Sequence, residues 1–583
     1  MSKLRRPTIH LLACGIAALL AGVLLGAPPS FADKPDVGLH DGFLIRVGNA
    51  LGGSEEMPVV FSGAGDVNGD GYDDLLVGAP GADNGTGSYP GSVFVVFGGG
   101  VGPVDLTSLG DRGFRIDGAD KYTLSGTAVA AAGDVNRDGY DDVLVGAPGS
   151  ANNNRVYSGS AYVVFGGEDT STIDLANLGD RGFRIDGATE SSDIGRRLAG
   201  AGDVNGDGYD DVLLGARRTP ADLAYVVFAY VVFGGPHTTT VDLNALGARG
   251  FRIDPPESEF GAYEMDGAGD INADGFDDLI FGDPSARPAS TNYRRASGSS
   301  YVVFGGPTTD VDLADLGDRG FRIDGTPDIR FGDRVAGAGD VNGDRVDDLL
   351  IGAPGGTPFP SGEGPPPTSY VIFGGNADAL NLKNLGDRGV KIAGSPFAAP
   401  GDVDGDGVND VLIRTVSGAG DDRLVFGGVS DLGDRKVRLD GTGWSAAGGD
   451  VNGDGRDDML IPLAVTASRT GGSGPRVYVA FGGPPTTLTV TARKKAKKVR
   501  RTGRTKLVRR ITVGTDQTAR TTATVLPKKA RKTVKVKTTK RRVVVRTKKT
   551  PKKIRKNTTI RVRIVSRGTG YFTTTWVRTW RVR

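Results

Sequence analysis

A nine-residue acidic loop occurs seven times in this 583-residue chain, and it constrains the fold more than any other feature. The first copy reads Asp66-Val67-Asn68-Gly69-Asp70-Gly71-Tyr72-Asp73-Asp74. Loop positions 1, 5 and 9 are Asp in every copy, and position 3 is Asn except at Asp404. Carboxylate and amide oxygens at alternating positions of one loop suit Ca²⁺. The sequence therefore predicts seven calcium loops, which begin at Asp66, Asp134, Asp203, Asp270, Asp340, Asp402 and Asp450.

Two other structures use similar residues. Asp-Gly and Asn-Gly pairs form tight hairpin turns, but a bare turn does not need acids at alternating positions, which would repel one another without a cation. An EF-hand needs a Glu at position 12 and a helix on each side. Position 12 is apolar in every copy, as at Val77, and the flanking run Leu75-Leu76-Val77 is typical of a strand. The loops are therefore expected in β-hairpins.

The loop belongs to a longer repeat, because successive copies begin 68, 69, 67, 70, 62 and 48 residues apart. Most copies are followed by Gly-Ala-Pro, as at Gly78-Ala79-Pro80, then by a β-branched run that ends in Phe-Gly-Gly, as at Phe97. A third run of the type Gly-Phe-Arg-Ile-Asp starts at Gly113 in the first unit. With the short run before the loop, each unit has four predicted strands. Four-stranded units in a radial array are propeller blades.

These combined motifs resemble the FG-GAP repeats of integrin α-subunit propellers and their bacterial relatives, over roughly residues 41–484. The resemblance implies an all-β fold, a seven-bladed β-propeller with calcium held in hairpin loops on one face. Some motifs depart from the pattern: unit three has Gly215-Ala216-Arg217, unit four has Gly282-Asp283-Pro284, and units six and seven lack Gly-Ala-Pro. At position 6 of loop five, Arg345 replaces glycine, so it must adopt a left-handed backbone or weaken that site.

By motif position, the resemblance implies up to seven Ca²⁺ ions held at positions 1, 3, 5, 7 and 9. Position 7 varies in sequence, as expected if only its backbone carbonyl is a ligand. The predicted ligands are Asp66, Asn68, Asp70, Tyr72, Asp74, Asp134, Asn136, Asp138, Tyr140, Asp142, Asp203, Asn205, Asp207, Tyr209, Asp211, Asp270, Asn272, Asp274, Phe276, Asp278, Asp340, Asn342, Asp344, Val346, Asp348, Asp402, Asp404, Asp406, Val408, Asp410, Asp450, Asn452, Asp454, Arg456 and Asp458.

Strand counting predicts how the ring closes. The first Gly-Phe run, at Gly42, precedes the first loop, and the seventh unit has none after Phe481, so the N-terminal strand should pair into blade seven. Strand alternation puts the calcium loops on one face and the hairpins after Gly-Ala-Pro on the other. These hairpins vary, and variable loops on a rigid scaffold are either recognition sites or tolerated insertions. They span 81–91, 149–159, 285–297 and 355–369.

Residues 1–32 read as a secretory signal, with Arg5 and Arg6 before an apolar run from Leu11 to Leu25 and small residues near Ala32. An uncleaved anchor and a lipoprotein modification at Cys14 are the alternatives. Because Cys14 is the only cysteine, a mature chain has neither disulfides nor cysteine metal sites. The sequence thus predicts a secreted protein, on the cell surface or in the cell wall if it is retained there.

The two ends of the chain carry opposite charge. Residues 491–583 hold 34 Lys and Arg against one acid, a net +33, whereas residues 33–490 hold 34 Lys and Arg against 68 Asp and Glu, a net −34. We expect a propeller over 33–484 and a basic β-rich domain over 485–583, with a hinge at Pro484-Pro485 and an unstructured run over Arg493–Arg510. Alternating runs such as Arg542–Arg546 favour a small β-sandwich, of which the Ig-like fold is one example.

An anionic cell-surface polymer is the expected partner of this domain, and self-association with the acidic propeller is the alternative. Nucleic acid is disfavoured, because aromatic residues are absent from the tail until Tyr571.

Catalysis has little support in the sequence. Only His40 and His237 remain after the signal, and no nucleophile elbow, Walker loop or zinc motif occurs. The chain therefore reads as an adhesion or binding module for an extracellular protein or glycan rather than an enzyme. The alternative is a hydrolase or lyase that acts on an extracellular polysaccharide through a carboxylate pair.

Overall fold

A computed structural model gives the fold of this chain. The residues that it describes are 40–47, 57–83, 88–100, 102–218, 226–256, 264–287, 296–355, 365–376, 378–414, 422–428, 436–439, 446–463, 476–482, 489–491, 507–514, 520–526, 534–539, 542–547, 559–567 and 573–581. The predicted signal segment, the hinge and the domain boundary at 484/485 lie outside these residues. So does the run predicted to be unstructured, except that its last residues, 507–510, begin a strand.

The part of the chain up to Phe481 is built from short β-strands. They are β1 (His40–Arg46), β2 (Val60–Gly65), β3 (Asp74–Ala79), β4 (Ser92–Val96), β5 (Val104–Asp105), β6 (Gly113–Asp117), β7 (Val129–Gly133), β8 (Asp142–Ala147), β9 (Ser160–Val164), β10 (Ile173–Asp174), β11 (Gly182–Asp186), β12 (Arg197–Gly202), β13 (Asp211–Arg218), β14 (Val226–Val232), β15 (Val241–Asp242), β16 (Gly250–Asp254), β17 (Glu264–Gly269), β18 (Asp278–Asp283), β19 (Ser299–Val303), β20 (Val311–Asp312), β21 (Gly320–Asp324), β22 (Val335–Gly339), β23 (Asp348–Ala353), β24 (Thr368–Ile372), β25 (Leu380–Asn381), β26 (Gly389–Ala393), β27 (Ser395–Gly401), β28 (Asp410–Arg414), β29 (Asp422–Val425), β30 (Lys436–Leu439), β31 (Ala446–Gly449), β32 (Asp458–Leu463) and β33 (Arg476–Phe481).

These strands form seven antiparallel four-stranded sheets, which are the blades of a propeller. In order they are β2-β3-β4-β6, β7-β8-β9-β11, β12-β13-β14-β16, β17-β18-β19-β21, β22-β23-β24-β26, β27-β28-β29-β30 and β31-β32-β33-β1. The first strand of each blade contacts the first strand of the next, and β31 contacts β2, so the ring is closed. The predicted all-β, seven-bladed fold is confirmed.

Ring closure occurs as the sequence predicts. Strand β1 is the outer strand of blade seven and pairs antiparallel with β33, with Phe43 opposite Val479 and Ile45 opposite Val477. The Phe43 and Phe481 rings meet edge to face, with centroids 6.1 Å apart. The last blade therefore joins strands from both ends of the propeller.

The core lies between blades. Middle strands such as β3 and β8 are buried on both faces, which explains their uninterrupted Val and Leu runs. Four further blades repeat the contact between the Phe of Phe-Gly-Gly and the Phe of the outer strand, at centroid distances of 5.8–6.1 Å. Arg112, Arg249 and Arg319 in the turns before three outer strands lie over phenylalanine rings of the preceding blade, which joins neighbouring blades.

Two-residue strands also link blades. Strand β10 follows the third strand of blade two but pairs parallel with β6 of blade one, and β5, β15, β20 and β25 pair in the same way with β1, β11, β16 and β21. Short 3₁₀ turns follow these strands at Gly110–Arg112, Leu175–Asn177, Gly179–Arg181, Leu243–Ala245, Gly247–Arg249, Gly317–Arg319, Leu382–Asn384 and Gly386–Arg388.

The C-terminal region contains two antiparallel sheets, as expected for a small β-sandwich. Its strands are β34 (Thr489–Thr491), β35 (Leu507–Gly514), β36 (Arg520–Leu526), β37 (Val534–Thr539), β38 (Arg542–Thr547), β39 (Thr559–Arg567) and β40 (Thr573–Arg581). Their order is β34-β35-β38-β37 in one sheet and β36-β39-β40 in the other. Within the described ranges, none of the helices has the length and apolar character required to cross a bilayer.

Candidate calcium sites

Each acidic loop joins the first and second strands of its blade and is folded by its own side chains. In loop one, the Asp66 carboxylate accepts hydrogen bonds from the backbone N–H groups of Asp70 (3.0 Å) and Gly71 (2.8 Å). Asn68 Oδ1 accepts from the Asp70 N–H (2.9 Å), and Asp70 Oδ1 accepts from the Tyr72 N–H (3.1 Å). Side-chain oxygens from positions 1, 3 and 5 are thereby turned inward over the loop.

The bond from the position 6 N–H to the position 1 carboxylate occurs in all seven loops. Its acceptors are Asp66, Asp134, Asp203, Asp270, Asp340, Asp402 and Asp450, at 2.7–2.9 Å. Loop five keeps this bond although its position 6 is Arg345, whose φ is 72°. Of the two outcomes predicted for Arg345, the structure has the left-handed backbone, and the loop is otherwise folded like the others.

The aspartate at position 9 is fully buried and joins the loop to the rest of its blade. Asp74 accepts hydrogen bonds from the N–H of Val67 in the loop (3.1 Å) and from the N–H of Gly98 in Phe-Gly-Gly (2.9 Å). Gly98 admits no side chain, because a Cβ there would lie 2.5 Å from the Asp73 carbonyl oxygen. The two most regular motifs of the repeat are therefore bonded to each other.

Burial, together with the nearby Asp70 and Asp66 carboxylates, raises the pKa of Asp74 to about 8, against the opposing effect of its backbone hydrogen bonds. The same cause raises the pKa of Asp142, Asp211, Asp410 and Asp458 to about 8, and that of Asp278 and Asp348 to about 7. A carboxylate kept from water beside other carboxylates is stabilised in its charged form by a bound cation.

Position 8 has a role that the sequence analysis missed. Asp141 of loop two accepts a hydrogen bond from the N–H of Asp66, the first residue of loop one, at 2.7 Å. Asp73, Asp210, Asp277, Asp347 and Asp457 make the equivalent bond to Asp450, Asp134, Asp203, Asp270 and Asp402. The bond from loop seven to loop one completes the ring. In loop six the residue is Asn409, which instead donates to the Ala338 carbonyl (3.1 Å).

A sequence signal for this contact does exist. Glycine precedes every loop, and at Gly65, whose φ is 71°, an added Cβ would overlap the Asp141 carboxylate. The position 7 side chain is also part of the joint: the ring of Tyr140 occupies the space where a Cβ on Gly69 of loop one would lie. The position 7 side chain therefore packs against the preceding loop.

The donor set at each loop fits calcium. Positions 1, 3, 5 and 9 offer hard carboxylate and amide oxygens, with no thiol or imidazole among them. Among the described residues, three carboxylates come closest at loop six, where Asp402, Asp404 and Asp410 each place an oxygen within 4.8 Å of the other two. This loop differs because position 3 is an acid. The predicted ligation by positions 1, 3, 5, 7 and 9 stays a prediction.

Among the described residues, two carboxylates with a raised pKa lie outside the loops. The first strands consist mostly of small residues, but β17 of blade four carries Glu264 and Asp266. Asp266 accepts a hydrogen bond from the Gly267 N–H (3.1 Å), and burial raises its pKa to about 7. Glu264 is exposed to solvent at the inner strand; desolvation by the surrounding protein raises its pKa, while Arg197 and Arg334 of the adjacent blades oppose the shift.

Comparison with known proteins gives two results. The model of the FG-GAP repeat matches residues 60–96, 125–164, 195–227, 331–371 and 442–475, which belong to blades one, two, three, five and seven. Phosphatidylinositol-glycan-specific phospholipase D of Bos taurus is 27% identical over 300 residues, which cover 50% of this chain and 34% of that protein. Its Homo sapiens counterpart is 30% identical over 230 residues, covering 39% of this chain and 26% of that protein.

Integrin alpha pat-2 of Caenorhabditis elegans is 28% identical over 396 residues, which cover 62% of this chain and 29% of the integrin subunit. The chain thus spans about a third or less of the length of these relatives.

Proposed function

This chain is an FG-GAP repeat protein that resembles the integrin α-subunit propeller, and from that premise we propose that it is a secreted, calcium-binding β-propeller that binds an extracellular protein or glycan. The calcium part is carried by the buried position 9 carboxylate and the hydrogen-bonded position 1 carboxylate, which recur in all seven loops, together with hydrogen-bonded side-chain oxygens at positions 3 and 5 in loops one to five. Each loop would hold one ion, up to seven in all, through the predicted ligands.

Thermal unfolding with calcium and with chelator tests this proposal, together with a count of bound metal. A ligand that binds only the folded state raises the melting temperature. We expect a large rise with millimolar calcium and close to seven ions per chain, with magnesium at the same concentration as the control. An unchanged melting temperature together with no bound metal would show that the loops are only turns.

The scaffold supports the binding role. Calcium loops on one face leave the connections of the other face free to vary, and functional residues commonly lie on loops that a rigid fold positions. Of the four variable hairpins, only 149–159 lies entirely within the described residues. We assign recognition to that opposite face. The corresponding test measures binding of the full chain to immobilised extracellular proteins and glycans. Binding should be abolished when the loops of the opposite face are exchanged.

We also propose the division into a signal (1–32), a propeller (33–484) and a basic domain (485–583) that binds an anionic cell-surface polymer. The net charge of +33 in residues 491–583 supports this partner.

We propose no catalytic role for the propeller. One group of relatives is named as a phospholipase, but this chain covers about a third of those proteins, and their activity is not assumed for it. Turnover on a panel of neutral and acidic glycans separates a binding module from a polysaccharide hydrolase or lyase. Product release at a steady rate, lost with Glu264→Gln or Asp266→Asn, would favour the enzyme.

A further inference from the structure

Three large apolar side chains are exposed in the described part of the chain: Tyr122 (60%), Val156 (54%) and Tyr157 (58%). Tyr122 lies in the connection from β6 to β7, and Val156 and Tyr157 lie in the hairpin from β8 to β9. Both connections are on the face opposite the calcium loops, because those loops follow first strands such as β7. We call these three residues the tyrosine patch.

Backbone hydrogen bonds place the two segments side by side. The Gly149 N–H, at the start of the hairpin, donates to the Thr123 carbonyl (3.0 Å), and the Gly159 N–H at its end donates to the Ser150 carbonyl (3.0 Å). Tyr122 is therefore separated from the returning arm of the hairpin by about two strand spacings of roughly 5 Å each. The two tyrosines therefore lie on neighbouring segments of one face.

Both tyrosines have a strained backbone. The φ of Tyr122 is 62° and that of Tyr157 is 53°, in the left-handed region that bulky residues avoid. Hydrogen bonds hold these conformations: the Tyr122 N–H donates to the Ser88 carbonyl (2.7 Å), and the Val156 carbonyl accepts from the Ser191 N–H (3.0 Å). The equivalent residues of two other connections, Ser191 and Asp328, also have a positive φ, so the conformation of Tyr122 belongs to the repeat.

Contacts with residues outside the hairpin also hold the hairpin that carries Tyr157. The Arg155 guanidinium forms an ion pair with Asp242 of the neighbouring β15 (2.6 Å) and donates to the Ala188 carbonyl (2.9 Å). The Asn153 amide donates to Asp186 and Asp242. Since these contacts order the loop before any ligand arrives, binding loses little conformational entropy.

The chemistry of the patch indicates its ligand. A stable protein interface buries about 800 Å² per partner around an apolar centre, which is more than two tyrosines and one valine among polar side chains offer. The net charge of −34 over residues 33–490 disfavours polyanions. Exposed aromatic rings in connections that also carry exposed polar residues, such as Asn154 and Glu190, suit a ring with apolar C–H faces and hydroxyl edges.

We propose that the tyrosine patch binds a neutral glycan chain, with Tyr122 and Tyr157 each stacked on one sugar ring. This inference deepens the proposed binding function and rests on it, since it names the class of ligand and the residues that contact it.

Affinity electrophoresis of the full chain tests the assignment, in millimolar calcium and in gels that contain dextran, mannan, laminarin or hydroxyethylcellulose. The double variant Tyr122→Asn/Tyr157→Asn removes both rings, and Asn tolerates the left-handed backbone, so the fold is kept. The matched control is Tyr122→Phe/Tyr157→Phe, which keeps both ring faces. The melting temperature of each variant establishes that it is folded.

We expect at least one neutral polysaccharide to retard the full chain, an affinity at least tenfold weaker in the double Asn variant, and a change of less than threefold in the Phe variant. Retardation that the Asn variant retains would overturn the patch as the site. Failure of every neutral polysaccharide, with binding to an immobilised extracellular protein intact, would overturn the ligand class and leave the binding function standing. Failure to bind any of these probes would overturn both.

Discussion

At the scale of single residues, the aspartate at position 9 connects three parts of each blade. Its two oxygens accept hydrogen bonds from the loop and from Phe-Gly-Gly, while it sits fully buried among other carboxylates. In the absence of a cation this arrangement is electrostatically unfavourable, and burial raises the pKa of each of these groups to about 7 or 8. The stability of this group of carboxylates therefore depends on whether the loop binds a cation.

Arg345→Gly should stabilise the protein by about 1 kcal/mol, because the exchange relieves a left-handed backbone at a bulky residue and keeps the N–H bond to Asp340. Urea unfolding in calcium measures the change. The control Lys383→Gly, in the 3₁₀ turn Leu382–Asn384, should lower the free energy of unfolding by about 0.5–1 kcal/mol. A loss of stability in Arg345→Gly would contradict this account of loop five.

Asp141→Ala should destabilise the protein by about 1–3 kcal/mol in calcium and in chelator alike, since it removes the inter-blade bond to the Asp66 N–H. The number of bound ions should remain the same. Asp134→Ala, at position 1 of the same loop, should instead lower the metal count by one. Metal analysis with thermal unfolding distinguishes the two variants. Loss of an ion in Asp141→Ala would show that position 8 is a ligand and would contradict this account.

Much of the site could be predicted from the sequence, because positions 1, 3, 5 and 9 interact within nine residues and their alternation is visible. Position 8 could not be assigned in this way. Asp141 is equally regular in sequence, but its partner, the Asp66 N–H, lies 75 residues away on another blade. A contact of this kind depends on how blades are arranged, which a single repeat does not encode.

At the scale of elements, β17 is unusual among the first strands because Asp266 stands where blade two has Ala130 and blade five has Ala336. The raised pKa means that the folded protein holds a proton between about pH 4 and 7 that the unfolded chain releases. Stability from this group is therefore full below about pH 4 and is lost as the pH rises towards 7.

Asp266→Asn should increase the free energy of unfolding at pH 8 by on the order of 1–3 kcal/mol, because it removes a partly buried charge and keeps an acceptor for the Gly267 N–H. Near pH 4 the variant and the parent should be equally stable. Urea unfolding across this pH range measures both values. The same exchange at exposed Asp315 is the control, and a pH-independent effect at Asp266 would contradict the argument.

Closure by β1 should account for a large share of propeller stability. Phe43→Ala should cost about 3–5 kcal/mol, because Phe43 is 2% exposed and packs on Phe481 at the joint between the two ends of the ring. Leu44→Ala, at a half-buried position of the same strand, should cost clearly less. Equal, small losses in denaturant unfolding would indicate that the ring remains folded when this strand is released.

The four strands of each blade could be predicted from their apolar runs and turn residues, whereas the two-residue strands could not. Ile173-Asp174 is too short to show a period, and it becomes a strand only because the outer strand of the preceding blade offers a free edge. The two-residue strands thus depend on a tertiary contact with the preceding blade.

At the scale of the whole molecule, the opposed charges of the two parts lead to a prediction about surfaces. The full chain should bind phosphatidylglycerol vesicles but not phosphatidylcholine vesicles, with an affinity that falls as salt rises, whereas a chain ending at residue 484 should bind neither. Vesicle sedimentation measures this. If an isolated basic domain sediments with the vesicles and the full chain does not, the basic domain instead binds the acidic propeller.

The bonds made by position 8 give the seven loops a property that an open array of repeats lacks. Each loop contacts the next, and Asp73 of loop one contacts the N–H of Asp450 in loop seven, so no loop is terminal. In an open array, terminal repeats have one neighbour and unfold first. Here every loop has two neighbours, and the contact formed by Asn409 is the one that differs from the rest. The ring of loops is therefore interrupted in its pattern at the junction of loops five and six, where an amide replaces the carboxylate, and not at the chain ends.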